Sequence, residues 1–510
     1  MRTNGTPDPD SGLPRTSASP EAVAALKTAL EQCPSLGDAP DPNPWHELFY
    51  ERLRDQPLPA LITDGTITPG ASLWTGSRLW LESFRAADLQ PGDRLVIALP
   101  PSTAFVQVLV AALWEGYTVA LAPPDADLPA LLDQLDARAA VTVDSTPHAW
   151  ISEEYAGPSS TPDTLRSPSH DRTPHVRFLL QTSGTTAHAR WIALSDRNVL
   201  SVLHSHLPHF ALHDARLLSV LPWTHAFGLV LDLLPALFAG AEIIRDPEGG
   251  RDPDSIVRLR DAWGATHLSA VPLTIQRLLE HPDGKDLLNQ LQGGIVGGAP
   301  ISGPLAKQLQ DTCLRVGYGQ TEAAPGIALG PPGQWAAHYL GQPVGCSVEI
   351  AEDGELLFEG ANACVGIWRE DGLDRTDPDR TVHTGDRAER DGDDLYFRGR
   401  KDEAFKLSNG RLVEASTLEA ALKTEHPDLQ DALIFSPDGD HIAVALCAPS
   451  DLSPTQIPDT DGIRTLLGPI GHRLTWTTTI PPGEWTTLPK GSVDRQAMTD
   501  MLTETYQAER

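Results

Sequence analysis

The stretch Phe178-Leu-Leu-Gln-Thr-Ser-Gly-Thr-Thr186 joins an apolar, strand-like segment to a turn that is rich in hydroxyl groups. The hydroxyl-bearing side chains surround Gly184 and are Thr182, Ser183, Thr185 and Thr186. Such a turn offers hydroxyls and close-set backbone N–H groups to the oxygens of an oligophosphate, and its glycine lets the main chain approach the anion. Turns of this composition also satisfy their own backbone, so the segment alone leaves both interpretations open.

The composition narrows the class of protein. A chain of 510 residues is too long for one ordinary core, so we expect about two to four domains or subdomains. A net charge of −30 argues against a nucleic acid as the main partner, because a phosphate backbone needs a basic face. No apolar run approaches the length of a membrane span, and residues 1–20 lack the apolar core of a signal peptide. The five cysteines form no CxxC pair, which predicts neither a disulfide framework nor a zinc site and fits a reducing cytoplasm.

The pattern of apolar segments predicts an α/β fold. A buried strand at Asp93–Pro100, an amphipathic helix at Ala104–Glu115 and a strand at Val119–Pro123 form a βαβ unit, which implies a parallel sheet. The polar residues near 151–175 are typical of a surface linker. A second βα series runs from Val176 to about Gly330, with strands near Phe178, Leu217, Glu242, His267, Gly294 and Arg315.

Short strands and turns replace this pattern beyond Gly330, as in Val348–Ala351, Glu355–Phe358 and Asp394–Phe397. We therefore predict a disordered N-terminus over residues 1–20 and a large N-terminal domain over 21–399. That domain contains two βα-layered subdomains and a β-rich subdomain. A small mobile α+β domain follows over residues 400–510.

Two segments at predicted strand ends carry residue types that suit a nucleotide. The segment Gly297-Gly-Ala-Pro-Ile301 lets backbone approach a flat ligand, although a plain strand-ending turn would also explain it. In Gly317-Tyr-Gly-Gln-Thr-Glu-Ala323, Tyr318 could cover a purine, Thr321 could bind phosphate and Glu322 could hold Mg²⁺. A tyrosine corner with a solvated glutamate fits such a polar strand end less well.

Further motifs follow in the last third of the chain. The turn His383-Thr-Gly-Asp386 places a carboxylate where it could grip ribose hydroxyls, although aspartate is common in turns. Gly399-Arg-Lys-Asp402 precedes the last predicted domain and is followed by Phe405-Lys-Leu-Ser-Asn-Gly-Arg411. The segment Thr487–Arg495 contains Lys490 in a turn.

The order and spacing of these motifs resemble the adenylate-forming superfamily, which includes acyl-CoA synthetases, firefly luciferase and the adenylation domains of non-ribosomal peptide synthetases. The resemblance covers roughly residues 40–500. In this superfamily a carboxylate attacks the α-phosphate of ATP, pyrophosphate leaves, and a thiol then attacks the acyl-adenylate. The resemblance implies ATP, Mg²⁺ and coenzyme A as cofactors and a small-molecule carboxylic acid as partner, with an acyl carrier protein as an alternative acceptor.

The resemblance also implies a role for individual residues. Those implied to contact ATP or AMP are Thr182, Ser183, Gly184, Thr185, Thr186, Gly298, Ala299, Pro300, Tyr318, Gly319, Thr321, Asp386 and Arg400. Within this set Tyr318 matches the ring against adenine, and Asp386 and Arg400 match the ribose contacts. Glu322 matches the Mg²⁺ ligand. Two further matches are Asp402, the hinge about which the small domain rotates, and Gly410, in the loop that lines the thiol tunnel.

The acid site is implied by Pro222-Trp-Thr-His-Ala-Phe-Gly228, which matches the acyl-site motif of acyl- and aryl-CoA synthetases. In this register His225 falls on their histidine, and the alternative is an ordinary core histidine. Phe227 lines the acyl pocket where amino-acid-activating domains carry an aspartate. Because an apolar ring would leave a substrate ammonium group unpaired, the match favours a plain acyl or aryl acid. The segment from Phe405 to Gly410 resembles long-chain acyl-CoA synthetases and leans towards a fatty acid.

Two departures from the family pattern affect the residues expected to act on ATP. The phosphate loop normally continues Gly-x-Pro-Lys-Gly, but here it reads Ala187-His-Ala-Arg-Trp191, so Arg190 supplies the cation. The C-terminal signature Gly-Lys-[Ile/Val]-x-Arg falls on Gly491–Arg495 with Ser492 at the lysine position. Lys490 lies two residues earlier and could replace the adenylation lysine, or it could be an ordinary surface lysine.

We therefore predict a cytoplasmic, AMP-forming acid–thiol ligase that activates a fatty or other acyl acid and transfers it to coenzyme A. His225, Lys490 and Arg190 are its expected catalytic residues. Three alternatives stay open: an o-succinylbenzoate or aryl-CoA ligase, an adenylation enzyme that loads a carrier protein, and a degenerate relative that binds nucleotide without turnover.

Overall fold

The structure is a computed structural model that describes residues 20–33, 43–49, 61–145, 175–182, 190–369, 371–376, 381–401, 403–426, 428–449, 452–453, 456–487 and 493–508. The predicted disordered N-terminus and the linker near 151–175 lie almost entirely outside the described residues. So do five of the predicted site residues and the predicted hinge: Ser183, Gly184, Thr185, Thr186, Lys490 and Asp402.

Helices and strands alternate in the first half of the chain. The helices to residue 309 are α1 (Pro20–Gln32), α2 (Pro44–Phe49), α3 (Gly70–Ala86), α4 (Thr103–Glu115), α5 (Leu128–Gln134), α6 (Asp196–His206), α7 (Ala226–Gly228), α8 (Leu234–Ala239), α9 (Pro253–Trp263), α10 (Pro272–Glu280), α11 (Gly284–Gln290) and α12 (Gly303–Leu309). The strands to residue 318 are β1 (Leu61–Thr63), β2 (Thr66–Thr68), β3 (Arg94–Ile97), β4 (Thr118–Leu121), β5 (Ala139–Val141), β6 (Phe178–Gln181), β7 (Trp191–Leu194), β8 (Arg216–Ser219), β9 (Glu242–Arg245), β10 (His267–Ser269), β11 (Ile295–Gly297) and β12 (Arg315–Tyr318).

Strands dominate the second half. They are β13 (Ala328–Leu329), β14 (Tyr339–Pro343), β15 (Ser347–Ile350), β16 (Glu355–Glu359), β17 (Gly366–Arg369), β18 (Gly372–Arg375), β19 (Val382–Asp391), β20 (Asp394–Arg400), β21 (Ala404–Lys406), β22 (Leu412–Glu414), β23 (Asp431–Phe435), β24 (Ile442–Cys447) and β25 (Leu474–Ile480). The remaining helices are α13 (Ala415–Glu425), α14 (Thr460–Leu466) and α15 (Arg495–Ala508).

The predicted βαβ unit is confirmed as β3–α4–β4. All residues of both strands are buried and the two strands are parallel, which explains the apolar runs Leu95–Ile97 and Val119–Leu121. Helix α4 begins where the Ser102 side chain accepts a hydrogen bond from the N–H of Phe105 at 3.2 Å, and it ends at Gly116, whose φ is +90°.

Three sheets build the chain up to Arg400. One has seven strands in the order β18-β17-β7-β6-β4-β3-β5, and a second has five in the order β10-β8-β9-β1-β2. The third has eight strands in the order β11-β12-β13-β14-β20-β19-β16-β15. Parallel bridges from His267 to Gly293 and from Ala270 to Val296 join β10 to β11. The parallel run β8, β10, β11 and β12 therefore crosses from the second sheet into the third.

The sheets also contain pairings that the sequence pattern did not predict. Strand β17 pairs with β7, although about 170 residues separate them along the chain. Strand β1 pairs with β9 in the second sheet. Local periodicity identifies a strand but not its partner, because the partner is set by packing between segments that are remote in sequence.

The last hundred residues pack around apolar clusters of their own. Among the described residues, the clusters that contain Val444 and Phe435 include no side chain before Phe405. This packing supports the predicted domain boundary near Arg400, which stays a prediction. The unit contacts the rest of the chain at β20, where the Thr417 hydroxyl donates a hydrogen bond to the carbonyl of Arg398 at 2.8 Å. None of the described helices is long and apolar enough to cross a bilayer.

Candidate active site

The carboxyl ends of two adjacent parallel strands, β11 and β12, form one edge of the candidate site. The strands are in register at Gly297 and Gly317, and a Cβ on Gly297 would lie 2.5 Å from the carbonyl oxygen of Gly317. This close backbone approach requires glycine. The residues predicted to face adenine follow directly, beginning with Gly298 at φ +85°, and all are at least partly exposed: Gly298, Ala299 and Pro300.

Tyr318, at the end of β12, belongs to a hydrogen-bonded group with both predicted ribose contacts. Its hydroxyl donates to Oδ2 of Asp386 at 2.7 Å, and Nη1 of Arg400 donates to Oδ1 of the same carboxylate at 3.0 Å. Asp386 and Arg400 face each other on the antiparallel strands β19 and β20. Burial, followed by the charge of Asp386, raises the pKa of Tyr318 well above its usual value, so the phenol remains a donor at neutral pH.

A buried carboxylate that the sequence analysis did not single out holds the turn before Asp386 in place. Glu355, at the start of β16, accepts hydrogen bonds from Nζ of Lys401 at 2.6 Å, Nδ1 of His383 at 2.8 Å and the N–H of Gly385 at 3.0 Å. Burial raises the pKa of Glu355, but the hydrogen bonds from Lys401 and His383 outweigh it and lower the pKa overall. Glu355 therefore fixes the turn that presents Asp386. The only sequence signal was an acidic residue at the start of a short apolar strand.

The predicted phosphate contact and Mg²⁺ ligand lie in one helical turn after β12. Thr321 and Glu322 are half-buried within the 3₁₀ turn Thr321–Ala323. The turn is held in place because the N–H of Cys364 donates to the carbonyl of Glu322 at 2.9 Å, while the N–H of Val365 donates to Ala193 of β7 at 3.0 Å. The turn with Glu322 is thus tied to the strand that follows the phosphate loop.

Gly319, which the resemblance places against the nucleotide, packs against the chain just after that turn. A Cβ on Gly319 would lie 1.5 Å from the carbonyl oxygen of Pro325. Among the described residues no cluster of three or more His, Cys, Asp or Glu side chains is placed to hold a metal ion. A Mg²⁺ ion at Glu322 would therefore take most of its oxygens from the phosphates and water, as this hard cation commonly does.

The opening turn of the sequence is the connection of a β-hairpin. Strands β6 and β7 are antiparallel, and the N–H of Thr182 donates to the carbonyl of Arg190 at 2.9 Å across the base of the turn. Arg190 is exposed. The Thr182 hydroxyl is buried and has no hydrogen-bond partner within the described part of the chain. The base of the turn thus offers an exposed cation and a hydroxyl that no other described residue engages.

Trp191 stands where the family pattern Gly-x-Pro-Lys-Gly has its last glycine, and the structure shows the consequence of this difference. Trp191 begins β7, is 1% exposed and pairs with Trp368 of β17. Both rings belong to the apolar cluster on one face of the seven-stranded sheet. The position where the family pattern has glycine is therefore a buried core residue in this chain.

The predicted acid-site histidine precedes a short helical segment. His225 is the residue before α7 and is exposed, so it is not a core histidine. Phe227 is half-buried and packs against both large apolar clusters of the N-terminal part. The two ends of the motif Pro222–Gly228 pack closely together, since a Cβ on Gly228 would lie 2.2 Å from the carbonyl oxygen of Pro222.

Fewer of the predicted site residues are described in the last unit. Gly410 lies in an exposed turn at φ +81°, with open space around its Cα. Arg495, the last residue of the altered signature, donates from Nη1 and Nη2 to the buried carboxylate of Glu419 at 2.6 and 2.9 Å. Arg495 is therefore held within the fold of this unit, close in sequence to Lys490.

An edge of parallel strands that gathers an aromatic ring, a paired carboxylate and a glycine-rich approach fits an α/β enzyme of the adenylate-forming class. The chain belongs to the AMP-binding enzyme family, whose model matches residues 80–368. The predicted superfamily, the fold class and the acid–thiol ligase class are thereby confirmed, and ATP is the nucleotide that this family uses.

The relatives in this family differ in what they act on. A feruloyl-CoA synthase from Amycolatopsis sp is 27% identical over 371 residues, which cover 66% of this chain and 74% of the relative. Phenyloxazoline synthase MbtB of Mycobacterium tuberculosis is 26% identical over 486 residues, covering 85% of this chain and 33% of that protein. The ATP-bound structure of MatB from Rhodopseudomonas palustris superimposes with a TM-score of 0.75 at 20% identity, covering 91% of this chain and 99% of MatB.

Proposed function

We propose that this chain joins a carboxylic acid to AMP at the β11–β12 edge and then transfers the acyl group to the thiol of coenzyme A. The observation that carries the proposal is the Tyr318–Asp386–Arg400 group beside the exposed backbone of Gly298. This group offers an aromatic face for a base and, joined to it by a hydrogen bond, a carboxylate for the ribose hydroxyls. The hydroxyl turn closed by Thr182 and Arg190 then supplies donors to the phosphates.

The adenylation step needs charge stabilisation and alignment rather than covalent chemistry from the protein. Arg190 would neutralise phosphate charge at one side, and Thr182, Thr321 and the hydroxyls of the opening turn would donate hydrogen bonds. Glu322 would hold Mg²⁺ against the phosphates, where the ion would offset the charge of the departing pyrophosphate. Lys490 would reach the α-phosphate oxygen as charge develops there, with Asp402 as the hinge that brings the small domain over the site.

The acid would bind beside His225 and Phe227. The apolar ring of Phe227 gives no counter-charge for an ammonium group, which favours plain acyl and aryl acids over amino acids. In the second half-reaction the small domain would rotate, and the thiol would enter past Gly410 and attack the carbonyl carbon of the adenylate. AMP then leaves with both C–O bonding electrons on its phosphate oxygen.

A second candidate acceptor is the thiol of a carrier protein. The alignment with phenyloxazoline synthase MbtB supports it, because that alignment extends over 85% of this chain. The two acceptors use the same adenylation chemistry and differ in the surface that the thiol donor contacts.

Pyrophosphate exchange with a panel of short, long and aromatic carboxylic acids tests the first half-reaction. We expect ATP-dependent exchange with at least one acyl or aryl acid and none with amino acids. Transfer to coenzyme A is then compared with transfer to a carrier protein bearing phosphopantetheine. Retained ATP binding with no exchange for any acid would overturn the proposal and favour a nucleotide-binding relative without turnover.

A further inference from the structure

The predicted acid-site motif, Pro222–Gly228, is flanked by two buried polar residues that are bonded to each other. Ser219, the last residue of β8, precedes the motif by three residues and is fully buried. Asp232 follows the motif by four residues, within the helical turn Leu229–Leu233, and is 1% exposed. The hydroxyl of Ser219 donates a hydrogen bond to Oδ2 of Asp232 at 2.5 Å. This bond joins the chain before the motif to the chain after it.

Trp223, the second residue of the motif, is bound to the same hydroxyl. Its Nε1 donates to Oγ of Ser219 at 3.0 Å, and its ring is fully buried. The ring also packs against Phe105 of α4, with the ring centroids 5.5 Å apart. A serine hydroxyl has one proton to donate, and here Asp232 accepts it while an oxygen lone pair accepts the indole N–H. The carboxylate therefore orients the hydroxyl that fixes the indole.

Arg245, the last residue of β9, holds the backbone from which the motif begins. Its Nη1 donates to the carbonyl of Leu221 at 2.6 Å and to the carbonyl of Ser219 at 3.0 Å. Its Cζ lies 5.4 Å from the centroid of the Trp223 ring. Burial lowers the pKa of Arg245 to about 10, so the guanidinium stays charged at neutral pH. A buried cation thus fixes the path of the chain between β8 and the motif.

The two residues that we assign to the acid site stand between these supports. The N–H of His225 donates to the carbonyl of Pro222 at 3.2 Å, and the N–H of Leu229 donates to the carbonyl of His225 at 2.9 Å. Phe227 packs between the two large apolar clusters. The backbone bonds fix the shape of the motif but not its place in the protein. That place is fixed by the buried side chains on its two flanks.

The buried charges of Asp232 and Arg245 have a cost that apolar side chains of similar size would avoid. Within the described part of the chain no hydrogen bond or ion pair joins them directly, and both instead bind Ser219. Hydrogen bonds have a preferred direction, which apolar contacts lack. The arrangement therefore orients the motif more closely than apolar packing could.

The carboxyl group of Asp232 needs no charge for this contact. Burial raises its pKa to about 7, although the hydrogen bond from Ser219 and the charge of Arg245 act to lower it. Ionised or neutral, the group keeps an oxygen that accepts the Ser219 hydroxyl. An amide of the same shape should therefore replace it, whereas a methyl group should not.

We propose that Asp232 and Arg245 are positioning residues of the acid site. Asp232 acts on Trp223 through the Ser219 hydroxyl, and Arg245 acts on the backbone just before the motif. The inference rests on the proposed function, because it takes Pro222–Gly228 as the place where the carboxylic acid binds. Loss of either support should weaken the binding and selection of the acid and leave the binding of ATP intact.

The test measures pyrophosphate exchange with hexanoate, decanoate and benzoate as probe acids. Ser219→Ala removes the hydroxyl that joins the two flanks, so the KM for the preferred acid should rise about tenfold. The preference among the three acids in kcat/KM should fall at least about threefold, while the KM for ATP stays within about twofold. Asp232→Ala should behave in the same way, and Asp232→Asn should stay within about threefold of the wild type for the acid.

Arg245 gives a second, independent comparison. Arg245→Met should raise the KM for the acid about tenfold, and Arg245→Lys, which keeps a cation that can donate, should raise it less. The matched control is Asp196→Asn, at a buried carboxylate that begins α6 and accepts a hydrogen bond from Arg177 at 2.9 Å. This control should lose stability without a change in the KM for the acid.

Hydrogen–deuterium exchange over residues 222–229, without ligand, separates this inference from the proposed function. The amide protons should exchange faster in Ser219→Ala and Asp232→Ala than in the wild type and in Asp196→Asn. If they do, but the wild type shows no pyrophosphate exchange with any acid, the positioning of the motif is supported and the proposed function fails. If the amide protons exchange no faster, or if they do and the KM for the acid is unchanged, the inference is overturned.

Discussion

The hydroxyl of Tyr318 donates a hydrogen bond to the carboxylate of Asp386 at 2.7 Å, across 68 residues of sequence. The bond connects the end of β12 to β19, which are the elements predicted to contact the base and the ribose. Both groups contact the same nucleoside in the proposed function. Their mutual orientation is therefore set before ATP binds. This reduces the conformational entropy that the two side chains lose on binding.

Asp386→Ala removes the shared acceptor of Tyr318 and Arg400. We expect kcat/KM for ATP to fall about 100-fold or more. The variant loses a charge-assisted contact to the ribose, and the side chains of Tyr318 and Arg400 are no longer held in place. Tyr318→Phe keeps the ring and should lower kcat/KM for ATP only a few-fold, with a loss of about 1 kcal/mol in stability. Initial rates of exchange at varied ATP provide the measurement.

The matched control for Tyr318→Phe is Tyr339→Phe. Tyr339 also donates to an aspartate, Asp394, at 2.9 Å, but these residues begin β14 and β20 and do not belong to the carboxyl ends of β11 and β12. This variant should lose similar stability without a change in the KM for ATP. Equal effects of the two variants on ATP kinetics would contradict a specific role for Tyr318.

Lys490→Ala should slow adenylation by about two to three orders of magnitude, because the missing cation acts on charge that develops in the transition state. Transfer of the acyl group from a supplied acyl-adenylate to coenzyme A should continue at a rate close to that of the wild type. Lys285→Ala, at an exposed lysine of α11, serves as the control. An unchanged adenylation rate would show that Lys490 is an ordinary surface lysine.

Arg190→Ala should raise the KM for ATP about tenfold, because the base of the phosphate turn loses its cation. Arg190→Lys keeps the charge but not the bidentate hydrogen bonding of the guanidinium, so we expect a smaller rise in the KM for ATP. Titrations of ATP at low and high salt would measure both effects. Arg369→Ala, at an exposed arginine paired with Asp374, should leave the KM unchanged, and a similar rise there would point to general charge rather than position.

Asp196 is a structural carboxylate, and its contribution to the free energy of unfolding should depend on pH. It is buried and accepts hydrogen bonds from Nε and Nη2 of Arg177 at 2.9 and 3.0 Å and from His175. Burial raises the pKa of Asp196, but the charge of Arg177 and the His175 contact outweigh it and hold the pKa well below its usual value. Because the folded-state pKa is lowered, the stabilisation is complete above the unfolded pKa of about 3.9 and is lost as the pH falls below it.

Asp196→Asn should therefore lower the free energy of unfolding by about 3–5 kcal/mol at pH 7, as expected when one partner of a buried ion pair is removed. The difference from the wild type should shrink below about pH 4, where the Asp196 carboxylate of the unfolded chain begins to protonate while that of the native chain stays ionised. Urea unfolding at pH 7 and pH 3 measures this dependence. The exposed pair of Arg369 and Asp374 gives the comparison, since Asp374→Asn should cost no more than about 1 kcal/mol. A difference for Asp196→Asn that is independent of pH would contradict the assignment.

The sequence predicted β3, α4 and β4 well because each is defined by its own apolar pattern. It also predicted residues that the structure brings to one edge, such as Tyr318 and Asp386, because spaced motifs identify the family. The pairing of β17 with β7 was not predictable, since it depends on packing between segments remote in sequence.

The support of the site by Glu355 was also missed. Glu355 belongs to no motif, and it acquires its role from neighbours that only the folded chain brings close. The assigned roles of the individual site residues, including Ser183 to Thr186, Asp402 and Lys490 outside the described residues, stay predictions.

The pairing of Trp191 with Trp368 limits how the phosphate loop of this chain can be re-engineered. Grafting the full Gly-x-Pro-Lys-Gly sequence of the family onto residues 187–191 would replace a core tryptophan, and removing a ring of this size from a core costs about 3–5 kcal/mol. A graft that stops at residue 190 leaves the sheet intact. A chimera that carries the loop sequence of the family should therefore place its junction between Arg190 and Trp191, so that the core tryptophan is kept.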